Sequence, residues 1–215
     1  MSNAIIEDLV RDVRSQIEDN LIHQKWVENQ QDPGETLFAP LDLAETVLRP
    51  QLRPLFKAIS DDLVVDEDVE AALRPETTVC RILAILTYIN YDIANLRAFR
   101  TRFVSNLGSV TRDSALPLSK ARARELFGVE SGERFYRKQF IFCPVILKEG
   151  EEVECKEPWC RLPFQQVDDL SSGSSGVVTK VIVPKGHFKS SNSMWGLNPG
   201  VCKITSNVQC CFAKL

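Results

Sequence analysis

A chain of 215 residues, 44% hydrophobic and 26% charged, has the composition of a globular protein of one or two domains and excludes wholesale disorder. Its net charge of −3 joins two unlike parts: all 29 acidic residues lie at or before Asp169, whereas Ser171 to Leu215 holds five lysines and no acid. The scattered lysines form no basic stripe, no apolar run approaches the ~20 residues of a bilayer span, and the N-terminus lacks a secretory pattern. The expectation is an intracellular chain, cytoplasmic or nuclear, with neither a nucleic-acid nor a membrane partner.

Residues 3 to 23 place Ile6, Leu9, Val10, Val13, Ile17 and Leu21 on one helical stripe, with Ser2 or Asn3 as a cap. Gln30 to Pro40, containing Asp32-Pro33-Gly34, reads as a loop. Leu41 to Ile59 resumes helical spacing but contains Pro50 and Pro54, each of which removes a backbone donor, so two short helices are expected. Asp61, Asp62, Asp66, Glu67, Asp68 and Glu70 read as a solvated loop or cap between helices rather than a metal site.

From Val79 the strongest periodicity of the chain runs through Ile82, Leu86, Ile89, Ile93, Leu96 and Phe103. It predicts a helix of about 25 residues, capped by Thr77 or Thr78 and ending before Gly108. Such a stripe suits the buried centre of a bundle, a coiled coil or a partner-binding face. A shorter helix follows from Leu118 to Phe127, with Arg122, Arg124 and Glu125 outward and Gly128 as its C-terminal cap.

Beyond Gly132 the pattern changes. Phe140 to Leu147 is dense in strand-favouring residues, Lys148 to Glu152 supplies a turn, and Val153 starts a return strand, together a predicted hairpin. A second strand–loop–strand runs from Gln165 through Leu170-Ser-Ser-Gly-Ser-Ser-Gly176 to Val183, closed by a turn at Pro184-Lys185-Gly186. The fold class is therefore α+β, with a helical domain at 1–130, β-hairpins at 131–188 and an unassigned tail at 189–215.

Seven cysteines are an odd number, and the chemistry favours reduced thiols. Cys155, Cys160, Cys210 and Cys211 have only His23 and His187 to complete a metal site, so no zinc is expected.

The glycine loop carries the functional signal. Glycines let backbone amides approach phosphate oxygens without an intervening side chain. A dinucleotide-binding turn needs a following helix and a downstream acid, and a Walker loop needs Gly-Lys-Ser/Thr; here Gly176 is followed by Val-Val and no acid. The pattern G-x-G-x-x-G-x-V maps onto Ser171, Gly173, Gly176 and Val178, with serine at the first glycine position. A plain flexible hairpin tip has the same composition, and that reading stays open.

Arg134-Phe-Tyr-Arg-Lys-Gln-Phe-Ile-Phe-Cys-Pro-Val-Ile-Leu-Lys-Glu-Gly150, Cys160-Arg-Leu-Pro-Phe164, the glycine loop and Lys180-Val-Ile-Val-Pro-Lys-Gly-His-Phe188 resemble the entry into the catalytic domain of fungal serine/threonine protein kinases. The resemblance implies that the β segment is the start of a kinase N-lobe whose loop covers ATP phosphates, with Lys214 standing for the third-strand lysine. ATP with magnesium is the implied cofactor. No His-Arg-Asp or Asp-Phe-Gly occurs, so a truncated, inactive kinase-like chain is expected. The alternative is a non-catalytic module that binds a protein partner through its helical domain.

Overall fold

A computed structural model describes residues 3–24, 37–59, 66–92, 111–148, 151, 157, 159–173, 176–189 and 201–204. The chain is helix-rich α+β with a small antiparallel sheet. It divides into a helical unit, Met1–Asn20 with Asp42–Phe142, and a β unit, Leu21–Leu41 with Cys143–Leu215.

In the helical unit, α1 (Asn3–Asp19) buries Ile6, Val10, Val13 and Ile17, the stripe expected from their spacing. Leu21 lies past its end. Helix α2 (Leu43–Ile59) is one helix, not two, and carries Pro50 and Pro54 inside it. The two prolines cost about 3 kcal/mol each in a helix interior. Against that, Leu48, Leu52, Leu55 and Phe56 are all buried, each worth about 1.5–3 kcal/mol, so packing outweighs the breakers. Part of the acidic stretch becomes the first turn of α3 (Asp66–Leu73), where carboxylates suit the positive helix end, and Asp66 pairs with Arg53.

Helix α4 (Cys80–Tyr88) is buried nearly all round, through Cys80 and Ile82 to Thr87, and packs against α1 and α2. It is the covered centre of the bundle, but far shorter than the predicted 25 residues. Asn90 adopts a left-handed φ of 56°, and the remainder of the stripe, from Ile93, lies outside the described residues. Both ends of α4 are served from elsewhere in the chain. Its N-cap, Val79, has no side chain to offer; Asp113 instead accepts from the backbone N–H of Arg81 at 2.8 Å and of Ile82 at 2.9 Å. Thr78 donates to the same carboxylate at 3.1 Å. At the other end Arg14 donates to the Thr87 carbonyl at 3.2 Å and Arg134 to that of Ile89. An anion at the N-terminus and cations at the C-terminus match the helix dipole. Burial pushes Asp113 above the usual carboxylate range, against these hydrogen bonds. Burial likewise pushes the Cys80 thiol up to about 12.

After a short 3₁₀ turn (Asp113–Ala115) come α5 (Lys120–Phe127) and α6 (Val129–Phe142). Ser119 caps α5 by accepting from Arg122 N–H at 3.2 Å, and Gly128 ends it at φ 83°. Glu133 of α6 receives Lys120 at 3.0 Å and Arg124, and Lys120 chiefly holds its carboxyl below the ordinary range. The predicted strand from Phe140 to Leu147 is overturned: Phe140, Ile141 and Phe142 are the buried last turn of α6. Gln139, wholly buried, explains part of that choice, since its amide accepts from Leu118 N–H at 2.7 Å and donates to Leu118 O at 2.8 Å. Only a helix places it there while Phe135 meets Phe127 at 4.5 Å between ring centroids.

In the β unit, β1 (Ile22–His23) pairs antiparallel with β2 (Leu37–Phe38). Strand β3 (Leu147–Lys148) pairs parallel with β6 (Phe188–Lys189), so the predicted hairpin between Phe140 and Val153 does not form from it; Val153 lies outside the described residues. Strands β4 (Gln166–Gly173), β5 (Gly176–Ile182) and β7 (Val201–Ile204) make an antiparallel sheet in the order β4-β5-β7. Leu147, Leu162, Phe164, Val181 and Val183 form the core of the unit, with Val145 and Phe188 against it.

Candidate functional site

The glycine loop is the closed end of a hairpin. Its register pairs Gln166 with Ile182 and ends at Gly173 opposite Gly176, so Ser174 and Ser175, outside the described residues, are all that joins the strands. Glycine on both sides of so short a connection supplies the backbone freedom that tight hairpins require. Ser171 stands opposite Val178, and an irregularity between Asp169 and Ser171 shifts the register just before the glycine segment. The strand–loop–strand expected from the sequence is therefore present, and Ser171, Gly173, Gly176 and Val178 gather within its last few residue pairs.

The base of the hairpin is anchored. Gln165 N–H donates to Ile182 O at 2.9 Å, and Val181 and Val183 are buried in the core of the unit. Immediately beyond, His187 N–H donates to Pro184 O at 3.2 Å around Gly186, whose φ of 88° is the position that a type II turn reserves for glycine. A Cβ at Gly186 would lie 3.0 Å from Leu41 Cδ1, so space and torsion both favour glycine. His187 is wholly buried with its ring edge-on to Phe38 at 5.8 Å. Because strand positions alternate between faces, Val178 and Lys180 belong to the face opposite the buried Val181.

Beside the hairpin, β7 contributes a lysine that the sequence reading passed over. Lys203 pairs with Lys180, which on its other side pairs with Asp168. Lys214, the expected third-strand lysine, lies outside the described residues. The signal for β7 was present: Asn198-Pro199-Gly200 is a turn triplet, and Val201-Cys202-Lys203-Ile204 is short, β-branched at both ends and strand-sized.

Among the described residues, the groups with displaced proton affinities, Asp113, Cys80 and Glu133, lie in the helical unit, where Asp113 and Glu133 serve a helix end and a helix–helix ion pair. They are accounted for structurally and do not mark a second site. Among the described residues, no group of three or more His, Cys, Asp or Glu is placed to hold a metal, and no helix is long and apolar enough to cross a membrane. Cys80, Cys143 and Cys160 are not in disulfides. Comparison with known families, with curated proteins and with solved structures finds no match.

Proposed function

We propose that this is a kinase-like protein whose β unit carries a partial ATP-binding hairpin and which has no phosphotransferase activity of its own. The observation that carries the reading is the pairing of Gly173 with Gly176 at the end of an antiparallel hairpin, with a third, lysine-bearing strand beside it. Residues without Cβ at both ends of the connection allow backbone amides to close on phosphate oxygens. Val178 offers an apolar position next to them, and Lys203, rather than Lys214, is the described lysine on the third strand. Ser171 stands at the first glycine position of the pattern, opposite Val178.

The nucleotide and the magnesium fare differently. Gly173, Gly176 and Lys203 suit a phosphate chain, whereas the segment from Ser171 to Leu215 has no carboxylate to ligate a metal. The His-Arg-Asp and Asp-Phe-Gly triplets that supply a kinase with its base and metal ligand are absent from the sequence, so no transfer step is assigned to it. Hydrogen exchange of the whole chain tests the reading: saturating ATP is expected to slow exchange of the amides from Ser171 to Val178. Unchanged exchange there, with or without magnesium, rejects a nucleotide site.

A further inference from the structure

We propose that Cys143 and Cys160 are a thiol pair that oxidised glutathione converts to a reversible disulfide, a redox-responsive staple within the β unit. Both residues belong to that unit, both are half-buried, and neither is in a disulfide in the structure. The inference is independent of nucleotide binding and rests on how two segments meet. Val145 N–H donates to Arg161 O at 2.9 Å, which lays the segment entering β3 beside the one entering β4. Their relative direction follows from the pairs around them. Strand β4 is antiparallel to β5, the turn in which His187 N–H reaches Pro184 O reverses the chain before β6, and β6 is parallel to β3. Reversed twice, the two entering segments run the same way. In parallel pairing, an N–H bonded to one carbonyl sets its own residue opposite the next residue of the partner. Val145 thus stands opposite Leu162, and two residues back along both segments Cys143 stands opposite Cys160.

Burial supports the same register. Leu147, Leu162 and Phe164 share one core with Val145 against it, and alternation carries that face back to Cys143 and Cys160 at its half-buried edge. Extended neighbours lie about 4.8 Å apart, inside the Cα separation of about 4.4–6.8 Å that a disulfide spans. The chemistry balances with a small-molecule disulfide as oxidant. One cysteine thiolate attacks a sulfur of oxidised glutathione and releases a glutathione thiolate, and the second attacks the protein sulfur of that mixed disulfide and releases the other. The two protein thiols lose two electrons and two protons, and one oxidised glutathione becomes two reduced ones. Cys80 is an internal control: it is buried in the helical unit, and burial pushes its thiol up to about 12, so it holds little thiolate to react.

Peptide mapping of the full chain tests the pair. The folded protein is incubated with oxidised glutathione, quenched in acid, alkylated and cut with trypsin, which separates Gln139–Lys148, Glu149–Lys156 and Glu157–Arg161, with Cys143, Cys155 and Cys160 in one peptide each. A disulfide joining the first and third peptides, lost on treatment with reduced glutathione, is expected, with Cys80 still a thiol. Cys160 joined to Cys155 instead, or stable separate glutathione adducts on Cys143 and Cys160, overturns the inference. Hydrogen exchange then tests the staple: oxidation is expected to slow exchange of the Val145 amide by about tenfold, because the link closes the loop between the two segments. A linked pair with unchanged exchange there overturns it as a staple. Cys143→Ser is expected to abolish that redox difference, and a variant that keeps the full slowing also overturns it. Should the variant fail to fold, the wild-type peptide map decides.

Discussion

Gln139 shows how one buried polar side chain can determine what a segment becomes. Its amide meets the backbone N–H and C=O of Leu118 as a neighbouring strand would, and it also donates to Tyr136 O at 3.1 Å. Gln139→Leu keeps the volume but strands both backbone groups of Leu118, so a stability loss of about 2–4 kcal/mol is expected by urea denaturation. Asp113 offers a test with a sign. Burial raises its pKa in the folded state, so the folded chain holds the proton more tightly than the unfolded one. Its contribution is fully present below the ordinary carboxylate range and is lost as pH rises through the raised value. Asp113→Asn cannot titrate. The stability advantage of the wild type over this variant is therefore expected to shrink as pH rises from about 4 to 7, measured by thermal melts across that range. An advantage that grows instead means that the two backbone donors and Thr78 outweigh burial.

At the scale of elements, local rules succeed where the chemistry is local. The buried stripe of α1, the Gly128 end of α5 and the Pro184 to Gly186 turn follow from spacing and torsional demand. They fail where a distant partner decides. The buried face of α6 includes Gly132, Phe135, Gln139 and Phe142, a helical period hidden because a glycine and an amide occupy core positions. Gly132 is required there: a Cβ would lie 2.5 Å from Arg124 Cα of α5. The end of α4 depends on Arg14 and Arg134, and β3 finds β6 some forty residues onward, neither of which leaves a mark near the element itself. Helix α2 turns this conflict between local and tertiary terms into a measurement. Pro50 and Pro54 are exposed, so replacing them removes no packing. Pro50→Ala and Pro54→Ala are each expected to raise stability, by up to about 3 kcal/mol, in denaturant titrations. A loss of stability would mean that the geometry imposed by the prolines is itself needed for the fit of Leu48, Leu52, Leu55 and Phe56.

For the whole molecule, the order of residues and the order of units differ, and this was not legible in the sequence. The segment Leu21–Leu41 leaves the helical unit after α1, joins the β unit and returns, so the hairpin-bearing unit is assembled from two stretches of chain. The glycine hairpin was readable from its own residues; its dependence on the N-terminal segment was not, because the contact that expresses it pairs Phe38 with His187. Both are wholly buried, and Leu147 N–H donates to His187 O at 2.8 Å, which ties β3 to the same point. Phe38→Ala should open a cavity worth about 3–5 kcal/mol, and its effect should follow the units rather than the sequence. In hydrogen exchange, amides from Val181 to Phe188, some 150 residues away along the chain, are expected to lose protection. Those of α4, much nearer in sequence, are expected to keep theirs. Equal loss in both would mean that the two units unfold as one, and loss confined to β1 and β2 would mean that the β unit does not need its N-terminal strands.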